Sequence, residues 1–177
     1  HRNAAMPDYR YRIVNVFADA PLEGNPLCVF EDARGMPEQT MQALALQFNL
    51  SETTFILPSA TATARVRIFT PTFEMPFAGH PTLGSAHVVR EMFGTTDSVT
   101  LEMQVGIVPV EPSGSNWTLR ARKPGTRRPA IGPEQLARIL RLSPRDIGPD
   151  VLWVDTGAEQ LIVPLASVDA VRRADPD

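Results

Sequence analysis

Cysteine is nearly absent. Cys28 stands alone among 177 residues, which excludes an internal disulfide framework and any two-thiol active site built from this chain by itself. Histidine is scarce too: His1, His80 and His87 show none of the spacings that metal ligands take. No apolar run approaches the roughly 18 residues that a helical membrane span requires, and no charged-apolar-small leader opens the chain. A cytoplasmic protein with no membrane partner is expected. Positive charge never gathers into a dominant stripe. The 17 Lys and Arg stand against 20 Asp and Glu, for a net charge of −3, so nucleic acid is not an expected partner. The densest basic stretch, Arg120, Arg122, Lys123, Arg127 and Arg128, is broken by Pro124, Gly125 and Pro129 and reads as a solvated linker. No glycine pattern supports a dinucleotide or nucleoside triphosphate site.

What is present is the composition of a globular protein, with 43% apolar and 21% charged residues. The length suits one good core, or one domain and part of another. Residues 1–5 precede Met6 and read as a cloning remnant. The 17 prolines fall between periodic segments, which predicts many short elements joined by tight connections. Residues 9–17 alternate as a strand, with Tyr9, Tyr11 and Ile13 on one side and Val14 and Val16 on the other. A turn at 22–26 leads to a second strand at 27–30. Pro37 suits the start of a helix whose buried face is Met41, Leu44, Ala45 and Phe48, with Asn49 as a left-handed terminator. Residues 53–57 and 64–70 predict a strand pair. Pro81 opens a helix that is apolar nearly all round from 83 to 93, hence buried on most sides. Three more strands are expected at 99–104, 107–111 and 117–122.

These patterns predict an α+β fold, a sheet curled around one central buried helix. A first domain is expected over 6–122 and a linker rich in Pro, Gly and Arg over 123–132. Beyond it, a helix at 133–142, strands at 151–154 and 161–163 and a helix from 167 amount to roughly 45 residues, below what usually folds alone. Residues 133–177 are therefore expected to be the beginning of an incomplete second domain.

Two places combine ionisable groups with unusual local structure. Glu52, in Asn49-Leu50-Ser51-Glu52-Thr53-Thr54-Phe55, stands where a helix gives way to a strand among apolar and hydroxyl residues. It is either a solvated glutamate at a strand start or a carboxyl in a partly dry pocket, able to take and return a proton. Gly79 and His80, in Phe77-Ala78-Gly79-His80-Pro81-Thr82-Leu83-Gly84, stand at the entrance of the buried helix. Backbone N–H groups there lack internal partners and the dipole favours an anion. A substrate carboxylate beside His80, or a structural capping histidine, both fit. His87 is expected as a satisfied core residue and Glu74 as a structural one. Asp155-Thr156-Gly157 matches an aspartic-protease triplet but lacks a second copy and the flanking apolar strands.

The ordered segments Phe17-Ala18-Asp19-Ala20-Pro21-Leu22-Glu23-Gly24-Asn25-Pro26 with the strand at 27–30, Asn49 to Phe55, and Arg67-Ile68-Phe69-Thr70-Pro71 onward to Gly84 closely resemble the PhzF-like phenazine-biosynthesis family. The resemblance continues through Asp155-Thr156-Gly157 and 161–165. It implies a two-domain protein similar to diaminopimelate epimerase, each domain wrapping a mixed sheet around a central helix, with the active site between the domains. Glu52 then matches the family's acid/base glutamate, which moves a proton between carbons of a small carboxylated substrate. Gly79 and His80 match the substrate-binding helix entrance, and Ser51 a residue beside the glutamate. No metal or organic cofactor is implied, and the complete protein is expected to be a homodimer. One departure stands out: the family's second half carries an Asp-x-x-x-Gly-Ser motif, and nothing after Lys123 matches it. The expectation is an isomerase, active only with a complementary C-terminal half, whether a separate chain or a missing segment. An inactive small-molecule-binding or assembly half-protein of the same fold is the alternative. Inversion by two opposed thiols is disfavoured, because glutamate occupies the acid/base position and Cys28 lies in a strand.

Overall fold

A computed structural model describes residues 7–95, 97–121 and 123–176. The expected cloning remnant at 1–5, and Arg122 at the expected end of the first domain, lie outside the described residues. The chain divides into two compact units, 1–121 and 122–177.

The first unit contains β1 (Tyr11–Val16), β2 (Asn25–Phe30), α1 (Glu38–Phe48), β3 (Thr53–Leu57), β4 (Ala64–Phe69), β5 (Glu74–Met75), α2 (Gly79–Phe93), β6 (Val99–Met103), β7 (Gly106–Ser113) and β8 (Asn116–Leu119). The strands form one mixed sheet in the order β1-β2-β3-β4-β6-β7-β8, with β5 added to β4. The pairs β2/β3 and β4/β6 are parallel and the rest antiparallel. Helix α2 touches β1, β2, β3, β4, β6 and β8, so the sheet curls around it as a half-barrel.

Period-two alternation explains why helices occupy both faces. Leu27, Val29, Ile56, Val66, Ile68, Leu101 and Val110 face inward and enclose Ala86, Val88 and Val89 of α2. Their neighbours Cys28, Phe30, Phe55 and Phe69 point the other way and pack under Met41 and Ala45 of α1. Helix α1 stops at Asn49 in the left-handed conformation, φ 51°, with its N–H bonded to the Ala45 carbonyl. That is the terminator the sequence predicts. On β1 only Val14 and Val16 join the core, while Ile13 on the other side is exposed.

Two expectations for α2 need correction. The helix starts at Gly79, two residues ahead of Pro81. Its burial is also incomplete, because β1 and β8 are the two ends of the sheet and leave an opening over Leu83, Gly84 and His87. His87 faces that opening with its side chain 39% exposed, its Nε2 3.3 Å from Glu91 and its ring edge-on to Trp117. It is not a core residue.

The second unit contains β9 (Gly125–Arg127), α3 (Pro133–Ile139), a 3₁₀ turn (Pro144–Asp146), β10 (Leu152–Asp155), β11 (Glu159–Ile162) and α4 (Val168–Arg173). Its strands make an antiparallel sheet in the order β11-β10-β9. The stretch expected as a linker thus supplies an edge strand. Arg127 binds Glu159 through two hydrogen bonds of 2.6 and 2.7 Å and lies over the Trp153 ring, partners too far along the chain for local composition to reveal. Helix α3 ends at Ile139, short of the expected 142, and the chain turns through positive φ at Arg141. Among the described residues of this unit Leu136, Ala137 and Ala170 are buried. Ile139, at the C-terminal end of α3, is exposed.

Candidate active site

Strands β2 and β3 run parallel as neighbours, so the residues that lead into them lie at the same end of the sheet. Asn25 begins β2. Ser51 and Glu52 fill the short passage between the αL stop of α1 and the start of β3. Helix α2 opens toward this end with Gly79 and His80. Topology therefore gathers residues that are 55 positions apart in sequence between Asn25 and His80.

His80 is the centre of the contacts. Its Nδ1 lies 2.8 Å from Glu52 Oε2 and its Nε2 lies 3.0 Å from the Asn25 carbonyl oxygen. The side chains of His80 and Glu52 are 10% and 17% exposed. The Ser51 hydroxyl donates to Asn25 Oδ1 at 3.3 Å. A carbonyl oxygen can only accept, so Nε2 carries a hydrogen. Nδ1 and Oε2 then share a proton between them, as imidazolium facing carboxylate or as neutral imidazole accepting from the carboxylic acid. Two lone pairs at 2.8 Å would repel. None of the described residues hydrogen-bonds Glu52 Oε1.

The head of α2 adds an electropositive element. Its N-cap, Ala78, offers no side chain to the first turn, Pro81 has no N–H, and the space beside the Gly79 α-carbon is open. The N–H groups of Gly79 and His80 head a helix of 15 residues whose dipole favours an anion there.

Glu52, Ser51, Gly79 and His80, each singled out in the sequence, thus lie at one end of the sheet. Asn25 was not singled out as a site residue, although it contacts both His80 and Ser51. Its place between Gly24 and Pro26 was the available signal. The Phe17 ring lies 6.4 Å from that of His80. Other ionisable candidates are engaged elsewhere. Glu74 is held by Arg67 at 2.6 and 2.7 Å. Asp155 accepts from the Gly157 N–H within its own turn. Cys28 is fully buried, and burial pushes its thiol up to about 12, so it is neither thiolate nor base. Among the described residues no group of three His, Cys, Asp or Glu side chains is placed to hold a metal ion. No helix among them is long and apolar enough to cross a membrane.

Comparison with known proteins adds independent findings. The chain is 37% identical to an uncharacterised isomerase of Pasteurella multocida over 176 residues, 94% of this chain and 58% of the relative. It is 36% identical to the trans-2,3-dihydro-3-hydroxyanthranilate isomerase of Pseudomonas fluorescens over 174 residues, 96% of this chain and 62% of the relative. Among solved structures it resembles a PhzF-family phenazine biosynthesis protein of Bacillus anthracis (TM-score 0.77, 31% identity, 96% of this chain, 58% of that one). It also resembles a predicted epimerase of Pseudomonas aeruginosa (TM-score 0.80, 30% identity, 96% of this chain, 64% of that one). The chain thus spans less than two thirds of the length of these relatives. The family described as phenazine biosynthesis-like protein matches residues 14–177, and with the curled mixed sheet around α2 this makes the chain a member of that PhzC-PhzF family.

Proposed function

We propose that the full-length protein is an isomerase of small-molecule biosynthesis that moves a proton between carbons of a small carboxylated substrate, with Glu52 as the acid/base. The observation that carries the reading is the 2.8 Å contact between Glu52 and His80 at the head of α2. It engages one carboxylate oxygen and leaves the other, Oε1, for a substrate. The substrate carboxylate sits against the N–H groups of Gly79 and His80, where the helix dipole compensates its charge. Ser51 braces the site through Asn25.

In the reaction Oε1 takes a proton from a substrate carbon. The C–H electron pair becomes a new C=C bond, and the displaced π pair takes the same proton back at a second carbon. Substrate and product are isomers, and the enzyme ends as it began. The transfer calls for no metal or organic cofactor. General acid/base action contributes about 10²–10⁴-fold; anchoring the carboxylate and the preorganised dipole contribute the remainder.

Because the relatives are longer, turnover is assigned to this chain together with the part of the family it does not span. The test uses trans-2,3-dihydro-3-hydroxyanthranilate, the substrate named for the Pseudomonas fluorescens relative. Isomerisation is followed with this chain alone and with the C-terminal remainder of a relative supplied. Glu52→Gln keeps shape and polarity but cannot exchange a proton at neutral pH. It is expected to lower turnover by at least 10²-fold while leaving ligand affinity within a few-fold. Turnover within a few-fold of wild type would remove Glu52 from the mechanism. Ligand binding without turnover under every condition would favour an inactive binding protein instead.

A further inference from the structure

The contact between His80 and Asn25 is made by main chain, and three consecutive residues constrain that main chain. Gly24 has φ +76°, and a Cβ there would lie 2.3 Å from the Val16 carbonyl oxygen and 3.0 Å from Ala18 Cβ, so no other residue fits without moving the turn. Pro26 follows Asn25, and its ring disfavours the helical region for the residue before it, biasing Asn25 to the extended backbone of β2. Asn25 is also paired in register opposite Val16 of β1. Its carbonyl is thereby aimed at His80 Nε2, 3.0 Å away. On the outer side of Asn25, its Oδ1 accepts from Ser51.

We propose that Gly24-Asn25-Pro26 is a positioning element that holds His80 in a single tautomer, with hydrogen on Nε2, so that Nδ1 is the only ring nitrogen able to exchange a proton with Glu52. The consequence is directional. A free imidazole interconverts between two tautomers and could present an N–H or a lone pair to the carboxylate. With Nε2–H fixed by a carbonyl that cannot donate, the pair stores one proton along Nδ1–Oε2, and Glu52 keeps Oε1 turned to the substrate. The inference rests on the acid/base reading of Glu52 for its meaning, but the tautomer itself is a property of this chain without substrate.

The test is imidazole ¹⁵N NMR of the labelled chain across a pH titration that includes the neutral ring, with the His80 signals assigned by their loss in His80→Gln. As long as the pair holds its shared proton, the neutral ring in wild type is expected to show one tautomer, Nε2–H. Glu52→Ala removes the other partner and is expected to leave that tautomer in place, because the Asn25 carbonyl sets it. Gly24→Ala is expected to shift the ring to a tautomer mixture and, in the isomerisation assay, to lower turnover at least tenfold. An Nδ1–H tautomer or a mixture in wild type overturns the proposal, as does a tautomer that changes when Glu52 is truncated. If Gly24→Ala does not fold, the wild-type and Glu52→Ala spectra decide; if it folds and keeps pure Nε2–H, the proposal fails. Retention of turnover in Glu52→Gln would defeat the acid/base reading alone, since the spectra do not depend on it.

Discussion

At Thr53, beside the candidate base, a hydroxyl is buried without a hydrogen-bond partner among the described residues. The next residue shows the contrast: the Thr54 hydroxyl accepts from Ser85 of α2 at 2.9 Å, also fully buried. Alternation along β3 places Thr53 on the opposite side, with Phe55 and the aromatic layer beneath α1. An unpaired buried hydroxyl costs about 1–3 kcal/mol. Thr53→Val replaces it with a methyl of nearly the same shape, and a gain of about 1 kcal/mol is expected. Urea denaturation would show it as a raised midpoint with unchanged slope. A lowered midpoint would mean that the hydroxyl has a partner after all. His80 gives a second prediction at this scale. Both of its ring nitrogens face protein groups, so His80→Ala should lower turnover through Glu52 while changing carboxylate affinity little. A loss confined to affinity would place the ring on the substrate instead.

Between elements, close approach and charge pairing determine how helices and strands are joined. Gly84 of α2 lies against β1 and β2: a Cβ there would come within 2.6 Å of Leu27 Cδ2 and 2.9 Å of Val16 Cγ2. Leu27 is fully buried and has no room to yield. Gly84→Ala should therefore destabilise by about 1–2 kcal/mol, overpacking outweighing the helix propensity gained; a stabilised variant would show that the sheet gives way. Arg67 on β4 joins Glu74 of β5 and Glu38 of α1. The Arg67 hydrogen bonds hold the Glu74 carboxyl below its usual range. A depressed folded value means stability present above the unfolded value of about 4.3 and lost as pH falls through the folded one. Glu74→Gln should lower the denaturation midpoint at neutral pH, and its deficit should shrink as pH falls through the carboxylate range. A deficit constant with pH would remove the ion pair as its cause. Much of this layer was legible: the 3.6-residue period of α1, its stop at Asn49 and the β3/β4 pair all follow from local pattern. The strand Gly125–Arg127 was not, because what makes it a strand is Glu159 and Trp153, far along the chain. The exposure of His87 was hidden for a related reason. Local sequence says that α2 is apolar all round, but not where the sheet around it stops. Glu52 and the head of α2 could each be picked out locally. Their meeting through His80, and the part of Asn25 in it, required the parallel pairing of β2 with β3.

For the whole molecule the decisive contrast is how much each unit buries. Unit 1–121 has two apolar layers, one around α2 and one beneath α1. In unit 122–177 the buried described residues are Leu136, Ala137 and Ala170. Strand β9 is exposed along its whole length. Helices α3 and α4 have 7 and 6 residues, well short of the 12–15 or so at which even good helix formers become marginal alone. Little apolar area opposes the backbone entropy of this unit, so its local opening free energy should lie at the low end of the range and that of the first unit near the global value. Hydrogen exchange on this chain should then show β10 and β11 exchanging at least tenfold faster than β3 and α2. Cys28 gives an independent clock for the first unit. With its thiol fully buried and its titration pushed up to about 12, labelling by a thiol reagent requires opening. The labelling rate should follow the slow class of amides and ignore the fast one. Equal protection in both units would show that the second unit draws its order from more than its own buried side chains.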